Sequence, residues 1–160
     1  MKKFYAIIAL VFITMTAANA QNYNQAIGVE GGWEGLGVTY KHFTGSGNFF
    51  DYKANFILGD GFGALASATY DFNKLLTPGL SFFYGFGLEG GFYAGTYHGN
   101  DFRGNVMVGA YGNIGLEYAF SAIPFAVSID WNPGIRLILG NDLHSGFSGK
   151  AICAGIKYTF

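Results

Sequence analysis

Between Leu80 and Glu89 the chain alternates. Leu80, Phe82, Tyr84, Phe86 and Leu88 are large and apolar, while Ser81, Gly85, Gly87 and Glu89 are small or polar; only Phe83 breaks the pattern. A period of two sends successive side chains to opposite faces of an extended strand, so the run specifies a sheet with one greasy face. The signature recurs. Val106, Val108 and Ala110 lead into Ile114, Leu116, Tyr118 and Phe120, opposed by Gly109, Asn113, Gly115 and Glu117. Phe125, Val127, Ile129 and Trp131 are opposed by Ala126, Ser128, Asp130 and Asn132. The last run carries Ile152, Ala154, Ile156, Tyr158 and Phe160 on one face. Such runs are long beside ordinary globular strands of about 5–6 residues and suit a tilted membrane-crossing strand of about 9–11.

The first half carries weaker versions. Ile27 and Val29 oppose Gly28 and Glu30; Leu36, Val38 and Tyr40 oppose Gly37, Thr39 and Lys41; Ala54, Phe56 and Leu58 oppose Lys53 and Asn55. Ala64, Ala66, Ala68, Tyr70 and Phe72 oppose Ser67, Thr69 and Asp71. That makes eight strands, separated by short Gly-, Asn-, Asp- or Pro-bearing breaks that make neighbours antiparallel. Pro133 cannot donate to a ladder, so it is expected to mark a bulge or a rim.

Eight long strands with one apolar face fit two opposite barrels: a soluble one that is greasy inside, or a membrane one that is greasy outside. Composition separates them. Aromatic residues make up 19% of the chain and charged residues only 12%, about half the usual share. A water-facing wall needs abundant Lys and Glu, yet the minority face is Gly, Ser, Thr and Asn with about one charge per strand. That face suits a narrow lumen, which in an eight-stranded barrel is just wide enough for side chains to fill. Closed strands also leave no backbone group unpaired in lipid. The fold expected is all-β, an eight-stranded antiparallel up-and-down transmembrane β-barrel. Carboxylates in such an interior need partners. Glu30, Asp71, Glu89, Glu117 and Asp130 are therefore expected to meet Lys41, Lys53, Arg136 and Lys157 in a lumen charge network.

The start of the chain reads as an address. A basic "MKK", an apolar "FYAIIALVFI" and the small-residue site at Ala18 and Ala20 form the pattern of a secretory signal peptide over residues 1–20, leaving a barrel domain over 21–160. The apolar run is shorter than the roughly 20 residues of a spanning helix. Without Lys2 and Lys3 the nine basic residues become seven against ten acidic, a net charge of about minus three, which offers nothing to nucleic acid. The lone Cys153 forms no intramolecular disulfide.

The segments "GLSFFYGFG", "GLEYAFSAIPF", "SIDWNPG" and the closing "GIKYTF" resemble small outer-membrane β-barrel proteins of Gram-negative bacteria, similar to the OmpX/OmpA-like eight-stranded barrels, over roughly residues 35 to 160. In that family a final strand of Gly-x-x-aromatic-x-aromatic is the signal read by the barrel-insertion machinery. Gly155, Tyr158 and Phe160 match it, while Cys153 stands where a polar residue is usual. The resemblance implies an integral protein of the cell outer membrane, in contact with outer-membrane lipid and the insertion machinery, with no cofactor and a monomeric state. Its implied role is structural or surface interaction through extracellular loops rather than catalysis. An outer-membrane lipid-modifying enzyme or a narrow pore is the alternative. With both termini on the periplasmic side, the extracellular loops fall near 32–35, 59–61, 92–103 and 140–147, and the turns near 44–49, 73–79 and 121–124. The two longest loops carry His98, Asp101, Arg103, Asp142 and His144.

Three patterns invite chemistry. Gly85, Gly87 and Gly90 form a G-x-G-x-x-G string, but a dinucleotide site needs a helix after it and the sequence offers none. His144 and Ser145 suggest a hydrolase, yet neighbours on a strand point to opposite faces and no acid stands ready to orient the histidine. His42, His98 and His144 lie on different segments without metal-ligand spacing, so no metal site is expected.

Overall fold

The computed structural model describes residues 23–33, 35–58, 61–97, 100–139, 143–149 and 152–160. The expected signal peptide, His98 and Asp142 lie outside the described residues, as do the side chains of Asp101 and Arg103. Ten ladder segments follow in order: β1 Gln25–Gly32, β2 Gly35–Phe43, β3 Phe49–Leu58, β4 Gly61–Thr77, β5 Leu80–Tyr97, β6 Asn100–Ala119, β7 Phe125–Trp131, β8 Gly134–Leu139, β9 Leu143–Ser148 and β10 Ile152–Thr159. Each of β1 to β6 pairs antiparallel with the next. β7 and β8 both pair with β6, as two stretches of one wall strand, and β9 and β10 continue as the eighth. β10 then pairs with β1, Tyr158 opposite Ile27 and Gly155 opposite Glu30, which closes the ring. The fold is an eight-stranded antiparallel up-and-down barrel.

Pro133 breaks the seventh strand without displacing it against β6. Trp131 faces Ile114 before the break and Gly134 faces Tyr111 after it, so the register is unchanged. The Gly112 N–H still donates to the Pro133 carbonyl at 2.8 Å, and the loss is confined to the donor that proline lacks. The bulge expected at Pro133 is absent from that side. On the other side Trp131 faces Ile152 while Gly134 faces Ser148, a slip of one residue in the eighth strand. Parity flips accordingly: Ser145 and Phe147 point outward in β9, and Ile152, Ala154, Ile156 and Tyr158 do so in β10.

Strands also replace several expected loops. Instead of a loop over 92–103, β5 runs to Tyr97 and β6 begins at Asn100; β9 occupies most of 140–147; β4 continues through Thr77, where a turn was expected from residue 73. Gly79 makes that turn with a φ of +83°, a conformation that costs other residues.

Alternation sorts the wall. Outward positions are mostly apolar, including Val29, Leu36, Phe56, Phe62, Phe86, Leu88, Leu116, Ile129 and Ile156; Phe86 and Leu88 are 66% and 69% exposed. At the end of the barrel that carries Tyr23 and Phe160, here called the terminal end, outward aromatics touch in an unbroken series. Tyr40 stacks on Tyr52, Tyr52 on Phe50, Phe50 meets Tyr70, Tyr70 meets Phe72, and Phe72 stacks on Tyr84, with centroids 5.0–6.4 Å apart. Inward positions hold the packed core, which is the lumen.

Candidate functional site

The lumen fills in tiers. Its floor, at the terminal end, is Phe43, Phe49 and Phe83, with ring centroids 5.2 and 5.6 Å apart. Phe83 breaks the alternation only in polarity: its odd position turns it inward, where it is buried. Ala26, Ala119 and Ala126 complete the floor, small residues beside large ones.

Above the floor Lys41 donates to Glu117 Oε2 at 2.7 Å, and its ammonium lies over the Phe49 ring. Lys157 reaches the same carboxylate oxygen at 3.5 Å and donates to Ser128 Oγ at 2.7 Å. The Tyr23 hydroxyl donates to the other oxygen of Glu117. In the next tier Asp51 accepts from the Thr39 hydroxyl, and Asp71 accepts from Thr69 at 2.8 Å and from Asn113 Nδ2 at 2.9 Å. Higher still, Lys53 bridges Glu30 at 2.9 Å and Asp130 at 3.0 Å, with Asn132 Nδ2 donating to Asp130 at 2.9 Å. Arg136 then grips Glu89 with two donors, Nε to Oε1 and Nη2 to Oε2. The far, distal end is apolar: Leu65, Tyr93, Met107 and Ile138 pack together under Ile57.

The nine charged residues singled out in the sequence thus all point inward, and eight of them meet an opposite charge. Asp71 is the exception, because among the described residues it accepts from a hydroxyl and an amide rather than from a base. Sequence reasoning missed Asp51, although it stands two residues before Lys53 and shares its face. It also missed Tyr23, which precedes the first strand and carries no periodic signal. Gly155 sits in register between Glu30 and Ser128. Tyr158 and Phe160 face outward at the terminal end, their rings stacked at 6.2 Å, with Phe125 edge-on to Tyr158 at 5.7 Å.

The glycine string occupies the interior of β5, which continues as strand and leads into no helix. Exposed His42 is near the terminal end in β2, and half-buried His144 faces Ile138 near the distal end. Ser145 projects from the opposite face of β9. Among the described residues no three His, Cys, Asp or Glu side chains converge as a metal site. The lumen therefore holds fixed charge in bridged clusters, between an aromatic floor and an apolar cluster.

No family model matches the chain, and no curated protein matches it. A solved structure does. The crystal structure of Neisserial surface protein A is similar over 85% of this chain and 93% of that protein, with a TM-score of 0.50 and 16% sequence identity. At that identity the likeness is one of fold.

Proposed function

We propose that the chain is an integral barrel of a Gram-negative outer membrane whose role is structural or surface-interacting, and not catalytic. The observation that carries this reading is the inside-out distribution of polarity, with an apolar wall around a lumen of buried ion pairs. In water that wall would expose a far larger apolar area than soluble monomers tolerate. In a bilayer it is the expected outer surface, and a closed ladder satisfies the backbone there. The aromatic series at the terminal end fits an interfacial girdle, where phenol rings keep their hydroxyls near water.

The tiers act as a plug. Paired charges lock facing strands together, and the Phe43, Phe49 and Phe83 rings and the Leu65, Tyr93, Met107 and Ile138 cluster narrow the lumen on either side of them. Function then falls to the rim and loops, a role in keeping with the similar solved structure's being that of a surface protein. Gly155, Tyr158 and Phe160 serve as the strand read during insertion, and the mature barrel works as a monomer in contact with outer-membrane lipid.

Heat-modifiable gel migration of the purified protein, with recovery in the outer-membrane fraction, is the expected result. Recovery as a freely soluble periplasmic protein overturns the reading. Planar-bilayer recording is expected to give no stepwise conductance, and lipid A is expected to keep the same mass spectrum with and without the protein. Steady channel steps would establish a pore, and a changed lipid A mass an enzyme.

A further inference from the structure

Among the described residues, Glu30, Asp51, Asp71, Glu89, Glu117 and Asp130 point into the lumen against Lys41, Lys53, Arg136 and Lys157. Carboxylates therefore outnumber bases by two. Every base bridges Glu30, Glu89, Glu117 or Asp130, which leaves Asp51 and Asp71 as buried acids outside those bridges. Asp71 is the more isolated of them. It is fully buried, and β5 sets only Gly85 opposite it, so close that a Cβ there would lie 2.5 Å from Asp71 Oδ1. The β5 backbone thus excludes a hydrated ion from that side. Of the charged groups on neighbouring strands, Asp51 of β3 and Lys41 of β2 act on Asp71 with opposite signs, Asp51 the more strongly. Asp51 itself interacts with both Lys41 and Lys53, which favours its charged form.

Hydrogen bonding shows the same shortage. Thr69 Oγ1 lies 2.8 Å from Asp71 Oδ2 and 3.4 Å from the Asp51 carbonyl oxygen, yet a hydroxyl carries one proton and cannot donate to both. Asn113 is fully buried and gives Nδ2 to Asp71 Oδ1 at 2.9 Å, while its own Oδ1 has no partner. Unmet acceptors in an interior are costly, and here they surround one carboxyl group. We infer that this tier is a proton-binding site, with Asp71 held as a neutral carboxylic acid that donates from Oδ2 to Thr69 Oγ1 and accepts from Asn113 at Oδ1. The Thr69 hydrogen is then released to the Asp51 carbonyl oxygen. A proton supplies positive charge and a donor without needing space, whereas a metal ion needs room and several converging ligands. Among the described residues no three acidic, His or Cys side chains converge to provide them. The hydrogen-bonded chain stitches β3, β4 and β6 together while the proton is held, so this half of the barrel tightens in acid.

Infrared spectra of the whole barrel in detergent test the site at about pH 5.5, where an exposed aspartate has lost its proton. The expected result is the carbonyl stretch of a protonated carboxylic acid, removed by Asp71→Asn, which keeps the shape and neutrality of the acid. Linkage gives a second measurement, by urea titration in lipid vesicles. The native barrel keeps a proton that the unfolded chain releases, so raising the pH from about 4.5 to 6 disfavours the wild type relative to Asp71→Asn, by roughly tenfold in the folding equilibrium constant per unit. The unsubstituted protein alone decides the first test, whether or not the variant folds: no protonated-carboxyl band at that pH overturns the site. A band that Asp71→Asn leaves in place, or a stability difference between the two proteins that stays constant over that pH range, overturns it as well.

Discussion

Lys41 Nζ lies 3.9 Å from the centroid of the Phe49 ring, directly above the floor of the lumen. The same ammonium is 5.1 Å from the centre of Phe83 and donates to Glu117. One buried cation thus joins the aromatic floor to the first charged tier, and both should weaken when either side is removed.

Glu117→Leu takes the shared acceptor from Lys41, Lys157 and Tyr23 and leaves two ammonium groups in a closed interior. The expected loss is about 3–5 kcal/mol. Lys157→Met should cost less, because Lys157 lies farther from Glu117 and Ser128 gains freedom without leaving a charge stranded. Unfolding midpoints in detergent rank the two; an unaltered midpoint for Glu117→Leu removes the network from the stability argument.

Phe83 and Phe86 are near neighbours in β5 with opposite fates. Phe83→Ala empties part of the floor and should destabilise the barrel by about 3–5 kcal/mol. Phe86→Ala removes only outward surface and should scarcely move the midpoint in detergent. Equal effects from the two would mean that the wall has been assigned the wrong way round.

Leu88 projects from the outer wall, so Leu88→Arg asks what that wall touches. Near a bilayer midplane the substitution is expected to cost about 2–4 kcal/mol of folding free energy, measured by denaturant titration in lipid vesicles. In a barrel surrounded by water the same change would be neutral or would improve solubility.

Gly35 opens β2 with a φ of +143°, and a Cβ there would lie 1.9 Å from the Phe56 carbonyl oxygen. Gly35→Ala should therefore impair folding yield through both strain and collision. Gly45, at φ +77° with nothing near its missing Cβ, should lose only about 1–2 kcal/mol on the same substitution. Comparable yields for the two variants would show that the close approach at Gly35 relaxes freely.

The period-two pattern made much of this fold legible. Outward residues such as Leu116, Ile129 and Ile156 announce their face by parity alone, and so do inward Glu30 and Asp130. Exceptions mark places where parity and polarity part company. Phe83 is apolar on an inward position because a barrel mouth sealed by rings needs it there. The strand β9 went unread because Ser145, Gly146 and Ser148 carry too little apolar contrast to alternate visibly. The partner of each charge was also out of reach, since Lys41 and Glu117 meet only after ring closure fixes the register of distant strands. Turn-forming residues misled at Asn73 and in Gly91–Gly95, where close packing between strands, rather than reversal, accounts for much of the glycine: a Cβ on Gly91 would lie 1.9 Å from the Ala64 carbonyl oxygen.

The seam between β1 and β10 joins Ala26 to Thr159, so the two margins that must meet lie far apart along the chain. Until they zip, any partly formed sheet keeps two bare edges able to recruit other chains. Closure is therefore a pairing of high contact order, the kind that forms slowly and leaves edges exposed while it is incomplete.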